Sequence, residues 1–162
     1  MKRKKIVAAN WKMNMNLDES KNLVSKLKEI SAVNVDVKIA PSFTNLYFTN
    51  TLLESSKIEV ISQDVHYEQS GAYTGEISAD MLLSIGVKTS IIGHSERRKY
   101  FNESDIILSK KVNSAIQNSM NVIFCIGEEL SDRNDNNHFE IIKSQLSNGI
   151  FHLKVSEFQK II

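Results

Sequence analysis

The sequence has one cysteine and one proline among its 162 residues. A single cysteine excludes an intrachain disulfide and a metal cluster held by several thiolates. An excess of one charge is also missing, because 20 basic and 19 acidic residues leave a formal net charge of +1. No overall field therefore favours nucleic acid or an anionic membrane, and we expect neither as a partner.

Long hydrophobic runs are missing as well. No apolar stretch approaches the roughly 20 residues that cross a bilayer, and the N-terminal region lacks the apolar segment of a signal peptide. The one basic run, residues 2–5, is interpreted as a solvated terminus. These features predict a cytoplasmic protein. With 41% hydrophobic residues the chain can bury one sizeable core, so we expect a single domain over residues 1–162.

Short apolar runs, each followed by polar residues, are what the sequence does contain. They predict six strands that start near residues 6, 37, 58, 89, 122 and 160. Helices are predicted between them, near residues 17–30, 45–55, 78–86, 104–118 and 139–146, with an exposed loop at 131–138. The strand spacing is close to the roughly 30 residues of one βαβ unit. The pattern therefore predicts an α/β protein with a parallel sheet.

Two α/β folds agree with this spacing, an open doubly wound sheet and an eight-stranded (β/α) barrel, and the spacing does not choose between them. The first strand is followed by neither a Gly-x-Gly-x-x-Gly sequence nor a Walker motif, so nothing here favours nucleotide binding.

Local signals refine several of these elements. Residues 6–9 form a compact apolar run, which predicts a strand buried on both faces. Asn16 and Glu19 have the spacing of a capping box, and Gly86 has the position of a left-handed residue that ends a helix. Residues 157–162 predict the beginning of a sixth strand.

Polar residues follow the predicted strands at the point where each strand ends. They are Asn10 and Lys12 after the first strand, Gln63 and Asp64 after the third, His94 and Glu96 after the fourth, and Glu128 after the fifth. The carboxyl ends of parallel strands share one face, so we expect these side chains to converge. An ammonium, an amide and an imidazole around one mouth suit a small anionic substrate that carries a carbonyl. A solvated lysine and a helix-capping histidine are the alternative interpretations.

Residues 89–101 are the densest of these stretches. A short apolar run ends at Gly93, and the polar cluster that begins with His94 opens a predicted helix. A neutral imidazole at such a junction can donate a hydrogen bond to a substrate oxygen.

Four motifs resemble those of the triosephosphate isomerase family. They are Ala-Asn-Trp-Lys-Met-Asn at 9–14, Gly-Ala-Tyr-Thr-Gly-Glu at 71–76, Gly-His-Ser-Glu-Arg-Arg at 93–98 and Ile-Gly-Glu at 126–128. They occur in the order in which the family has them. The resemblance implies a TIM-type (β/α) barrel and an isomerase of glycolysis and gluconeogenesis. That isomerase interconverts dihydroxyacetone phosphate and D-glyceraldehyde 3-phosphate through an enediolate.

The resemblance also implies roles for individual residues. Asn10 and Lys12 match the family's substrate-binding residues, and His94 and Lys12 match its catalytic electrophiles. Glu96 matches the glutamate that supports the histidine. Thr74 and Gly75 fall in the loop that docks into the partner subunit, which implies a homodimer of the complete protein. The family needs no cofactor and no metal ion.

The sequence departs from the family in one respect. The family's catalytic glutamate stands in a Tyr-Glu-Pro-Val-Trp stretch, and residues 1–162 contain no such stretch; Glu128 and Glu157 do not match it. A barrel of this type takes about 250 residues. We therefore expect a barrel truncated within the sixth strand, with no catalytic base in this chain and no activity alone. The expected origin is a fragment, a premature stop or a broken gene.

Two other function classes stay open at this point. A non-catalytic fragment can dock with a full-length subunit through residues 71–76. An open-sheet module can bind phosphorylated metabolites.

Overall fold

The computed structural model describes residues 5–30 and 34–162. The basic run that we interpret as a solvated terminus lies at residues 2–5, almost wholly outside this part of the chain, and Ser31, next to the end of the helix predicted at 17–30, also lies outside it. The strands are β1 (Lys5–Asn10), β2 (Val35–Ala40), β3 (Ile58–Val60), β4 (Thr89–Ile92) and β5 (Asn121–Phe124). The helices are α1 (Leu17–Leu27), α2 (Phe43–Leu53), α3 (Ala79–Ser84), α4 (Ser95–Tyr100), α5 (Asp105–Gln117), α6 (Leu130–Asn134) and α7 (His138–Gly149), followed by a 3₁₀ helix at Phe158–Lys160.

Parallel strand pairing confirms the predicted α/β class. β1 pairs with β2 from Lys5 opposite Val35 to Asn10 opposite Ala40, and β2 pairs with β3, both in parallel. β4 and β5 form a separate pair, so the described residues contain a three-stranded and a two-stranded sheet and no closed barrel. The barrel therefore stays a prediction.

The chain divides into two compact units. The first unit is Met1–Gln63 with Met81–Thr89, and the second is Asp64–Asp80 with Ser90–Ile162. The single domain stays a prediction. Among the described residues, no helix combines the length and the apolar character needed to cross a bilayer.

In the first unit, α1 packs against α2 and α2 packs against β3. The predicted capping box is confirmed: Asn16 Oδ1 accepts a hydrogen bond from Glu19 N at 3.0 Å, and Asn16 N donates to the Glu19 carboxylate at 2.8 Å. Asn45 joins the two helices, because its buried amide donates to Ser20 Oγ at 3.0 Å. Gly86 has φ +79° after α3, as predicted.

The prediction that β1 is buried on both faces is wrong. Most of its residues are exposed, and Val7 keeps 59% of its accessible surface. The reason is its place in the sheet order β1-β2-β3, in which β1 lies at the edge and pairs with one neighbour. An apolar run predicts burial only when strands or helices cover both of its faces.

In the second unit, α5 packs against α7 and β5. Its core is formed by side chains without accessible surface, among them Ile92, Leu108, Val112 and Val122. Gly149, at the end of α7, lies directly against the Phe124 ring and leaves no room for a side chain.

Two predictions for the second unit need correction. The polar stretch 131–138 is a loop only at residues 135–137, since α6 spans Leu130–Asn134 and Glu129 N donates to Asp132 Oδ2 at 2.9 Å across its first turn. The sixth strand begins later than predicted, because Phe158–Lys160 forms a 3₁₀ helix. Strand pairing starts at Ile161, which bridges Val122 in parallel, with Ile162 N donating to Val122 O at 2.8 Å.

Candidate active site

The segment after β1 is held in place by backbone and amide hydrogen bonds. Trp11 is buried, and its backbone N–H donates to Ala40 O at 3.0 Å. Asn10 Oδ1 accepts from Lys12 N at 2.9 Å. Gln63 Nε2 donates to Lys12 O at 2.9 Å and to Ala40 O at 2.8 Å, so the residue after β3 fixes the residue after β1.

Lys12 has a backbone conformation that side chains rarely adopt. Its φ is +55°, and a non-glycine residue in the left-handed region costs on the order of 1–3 kcal/mol. The Gln63 and Asn10 hydrogen bonds described above hold it there, and its side chain is exposed.

His94 lies between β4 and α4, where it is the N-cap of the helix. Its Nδ1 accepts a hydrogen bond from Glu96 N at 3.3 Å, and a Glu96 carboxylate oxygen lies 3.5 Å from the same nitrogen. A nitrogen that accepts an N–H carries no proton itself, so the proton of the neutral ring sits on Nε2. The imidazole can therefore donate from Nε2.

Gly93 sets the chain direction into His94. Its φ is +82°, and a Cβ added there would lie 3.0 Å from Cys125 O and 3.2 Å from Arg98 Nη2. We expect Gly93→Ala to lower the free energy of unfolding by about 2 kcal/mol, because a left-handed alanine is strained and its methyl group meets backbone. Urea denaturation measures this. Gly127→Ala is the matched control: nothing lies within 4 Å of its added Cβ, so a change within about 0.5 kcal/mol is expected. Equal losses for the two variants would contradict the steric argument.

A cavity of about 620 Å³ opens where β4 and β5 end. Its lining includes His94, Ser95, Arg98, Lys99, Cys125 and Glu128. The cavity therefore joins the imidazole to cationic and anionic side chains within the second unit. Pockets of this volume hold small molecules, typically with a few polar groups that fix their orientation.

Glu128 contributes an ionised carboxylate to this cavity. A hydrogen bond from its own backbone N–H lowers the pKa of Glu128, and the hydrogen bond from Arg133 lowers it further. The carboxylate is therefore ionised at neutral pH, and it accepts a hydrogen bond from Arg133.

Cys125 lies just beyond β5, where burial raises the pKa of its thiol and the nearby Arg98 partly opposes this. The thiolate is the reactive form, so we expect iodoacetamide at pH 8 to alkylate the folded chain several-fold more slowly than the same chain in urea. Mass spectrometry of timed samples measures both rates. Equal rates would show that burial does not protect the thiol.

Asp64, one of the residues expected at the strand ends, lies in a buried ion cluster. Its two carboxylate oxygens accept from Lys111 Nζ at 2.8 and 2.7 Å, and Arg97 Nε lies 2.9 Å from Oδ2. Glu103 Oε1 accepts from Lys111 Nζ at 2.6 Å and from Arg97 Nε at 2.7 Å. Burial raises the pKa of Asp64, Lys111 lowers it and Glu103 raises it. These contacts give Asp64 a structural role.

The loop that contains Thr74 and Gly75 is exposed and shaped by its own contacts. The rings of His66 and Tyr73 lie 4.7 Å apart, and Glu76 N donates to Tyr73 O at 3.0 Å. Gly75 has φ +92°. Residues 71–76 are all exposed.

The sequence-based site residues divide between the two units. Asn10 and Lys12 belong to the first unit, and His94 and Glu96 belong to the second. Their convergence stays a prediction. Sequence reasoning did not single out Arg98, whose only signal was its place in the motif at 93–98.

Comparison with known proteins decides the family. The family model described as triosephosphate isomerase matches residues 5–162. The chain belongs to the triosephosphate isomerase family. Triosephosphate isomerases of Flavobacterium psychrophilum and Flavobacterium johnsoniae are 50% and 48% identical to it over 162 residues. The triosephosphate isomerase of Alkaliphilus oremlandii is 46% identical over 145 residues, which cover 89% of this chain and 58% of that protein.

The chain spans 65% of the length of the two Flavobacterium triosephosphate isomerases, which match 99% of it. The four motifs at 9–14, 71–76, 93–98 and 126–128 all lie within the matched residues. The resemblance that these motifs carry is confirmed, and the roles of individual residues stay proposals.

Proposed function

We propose that this chain supplies the electrophilic side of a triosephosphate isomerase site. The observation that carries the proposal is the hydrogen bond from Glu96 N to His94 Nδ1 beside a cavity, from which we infer that the ring proton lies on Nε2. The substrate is dihydroxyacetone phosphate or D-glyceraldehyde 3-phosphate. Asn10 and Lys12 bind it, and Glu96 supports the histidine.

This reaction requires hydrogen-bond donors that are fixed at the carbonyl oxygen of the substrate. A carboxylate base removes a proton from the carbon beside the carbonyl, an enediolate forms, and the proton returns one carbon away. Negative charge grows on the carbonyl oxygen during this step. In this proposal the Nε2–H of His94 and the ammonium of Lys12 stabilise that charge.

No residue among 1–162 is assigned the role of the base. Glu128 lines the cavity, but Arg133 already pairs with its carboxylate and its low pKa makes it a weak proton acceptor. Glu157 caps a turn by accepting from Lys154 N at 2.7 Å. We therefore expect these 162 residues alone to show no isomerase turnover.

Strand order supports a barrel as the parent architecture, in one domain. In a doubly wound sheet of the common order 3-2-1-4, β4 lies beside β1. Here Ser62 N, just past β3, donates to Thr89 O at 3.0 Å, so within the first unit Thr89, the first residue of β4, lies beside the residues that follow β3. The pairing of the sixth strand likewise starts at Ile161, which bridges Val122 of β5. Successive strands as neighbours are what a (β/α) barrel requires.

The test is an isomerase assay on two proteins. One is the 162-residue chain, and the other is a chimaera in which residues 1–162 replace the matching segment of the Flavobacterium psychrophilum enzyme. We expect no turnover from the chain and clear turnover from the chimaera. Turnover by the chain would show that it holds a base of its own, and a folded but inactive chimaera would refute the electrophilic role.

A second candidate is a non-catalytic fragment that docks with a full-length subunit. The exposed loop at Thr74 and Gly75, held by the rings of His66 and Tyr73, favours it. Native mass spectrometry of the chain mixed with the Flavobacterium psychrophilum enzyme tests this. A heterodimer that Thr74→Arg abolishes supports docking through the loop, and a mixture of homo-oligomers alone excludes it.

A further inference from the structure

One guanidinium in the second unit holds three separate segments. Arg98 Nε donates to Gly93 O at 2.9 Å, and Nη2 donates to Cys125 O at 3.3 Å. Nη1 pairs with Asp105 Oδ1 at 2.6 Å. The arginine side chain keeps only 18% of its accessible surface. Arg98 thus links the end of β4, the residue after β5 and the first residue of α5.

Hydrogen bonds from one side chain to these three acceptors depend on the planar geometry of the arginine guanidinium. A guanidinium presents five N–H donors in one fixed plane, whereas a lysine ammonium is a point charge on a flexible stem. The Gly93 carbonyl belongs to the peptide bond that leads into His94. A donor fixed on that carbonyl therefore fixes the peptide plane from which the His94 side chain departs.

We propose that Arg98 is a positioning residue for His94. It holds the peptide between Gly93 and His94 so that Nδ1 stays aligned with Glu96 N and Nε2 faces the cavity. The inference deepens the proposed function and rests on it. Arg98 acts on His94 through the backbone, because its Nε donates to the Gly93 carbonyl and its Nη2 to the Cys125 carbonyl.

Direct substrate binding is the competing role, since Arg98 also lines the cavity. The two roles differ in kinetics. Loss of a positioning residue lowers kcat at constant KM, whereas loss of a substrate contact raises KM.

The first experiment uses the 162-residue chain labelled with ¹⁵N-histidine. In the unmodified chain we expect His94 to show an unprotonated Nδ1 and a protonated Nε2. In Arg98→Lys and Arg98→Met we expect averaged shifts from two tautomers. Val112→Ala, a core change in α5, and Asp105→Asn, which keeps both carbonyl bonds, should leave the His94 shifts unchanged. Unaltered shifts in Arg98→Met, or a protonated Nδ1 in the unmodified chain, would overturn the proposal.

The second experiment measures kinetics in the chimaera. Arg98→Lys should lower kcat about tenfold with KM within about twofold, as expected when a transition-state donor is misaligned. A raised KM at constant kcat would assign Arg98 to substrate binding instead. If the unmodified chimaera does not turn over, the proposed function fails, and the histidine shifts still decide the role of Arg98.

Discussion

Replacing Lys111 by Met is expected to lower the free energy of unfolding by about 3–5 kcal/mol, the cost of removing one partner from a buried ion cluster. The Lys111 side chain keeps 3% of its accessible surface, and its Nζ donates to Asp64 and to Glu103. Without it, two buried carboxylates share the partly exposed Arg97. Urea denaturation at pH 7 measures the loss.

The pH dependence of this loss follows from the carboxylates. Burial already raises the pKa of Asp64 above its ordinary 3.8, and removing Lys111 takes away an interaction that lowers it. A folded-state pKa above the unfolded value means that the folded state binds the extra proton, so stability falls as pH rises from about 4. The Lys111→Met defect should therefore be smaller at pH 5 than at pH 8.

Lys143→Met is the matched control for Lys111→Met. Lys143 is 71% exposed in its side chain and lies 3.6 Å from Glu140 in an ion pair on the same helix. Exposed pairs contribute little, so we expect a change within about 0.5 kcal/mol. Equal losses for the two lysines would show that the buried cluster does not stabilise the second unit.

Replacing His94 by Gln in the chimaera is expected to lower kcat about 10²-fold or more, the range for a lost proton-transfer or oxyanion group. Glutamine keeps an amide donor but loses the ring that Glu96 N orients through Nδ1. The isomerase assay measures kcat and KM separately.

His152→Gln is the control for the histidine substitution. His152 is exposed, and its Nε2 lies 2.8 Å from Asn113 Oδ1, away from the residues that line the cavity. We expect kcat within about twofold of the unmodified chimaera. A loss as large as that of His94→Gln, or an unaffected His94→Gln, would contradict the assigned role.

The sequence predicts the structure correctly where a feature depends only on residues within one short segment. The Asn16 capping box and the left-handed Gly86 depend on neighbours within a few residues, and both are found. The strands also follow from apolar runs. The exposure of a strand does not follow from its apolar run. The apolar residues of β1 lie at a sheet edge, and an apolar run does not encode the order of the strands in the sheet.

The site shows the same division. His94 could be singled out because a polar cluster follows an apolar run, and its Nδ1 contact to Glu96 N depends on residues two apart. Asp64 was expected at an open strand end, but its partner Lys111 is 47 positions away, so sequence reasoning did not anticipate the ion pair. The contact of Arg98 with Cys125 joins residues 27 positions apart, and sequence reasoning did not anticipate it either.

If Lys12 and His94 belong to one site, both respond to one ligand. Dihydroxyacetone phosphate is titrated into the 162-residue chain while the ¹⁵N signals of Lys12 Nζ and His94 Nε2 are followed, with Lys110 and His152 as internal controls. Our account predicts that both site signals shift with the same half-saturation concentration and that the control signals stay in place. Shifts of only one site residue, or of neither, would contradict it.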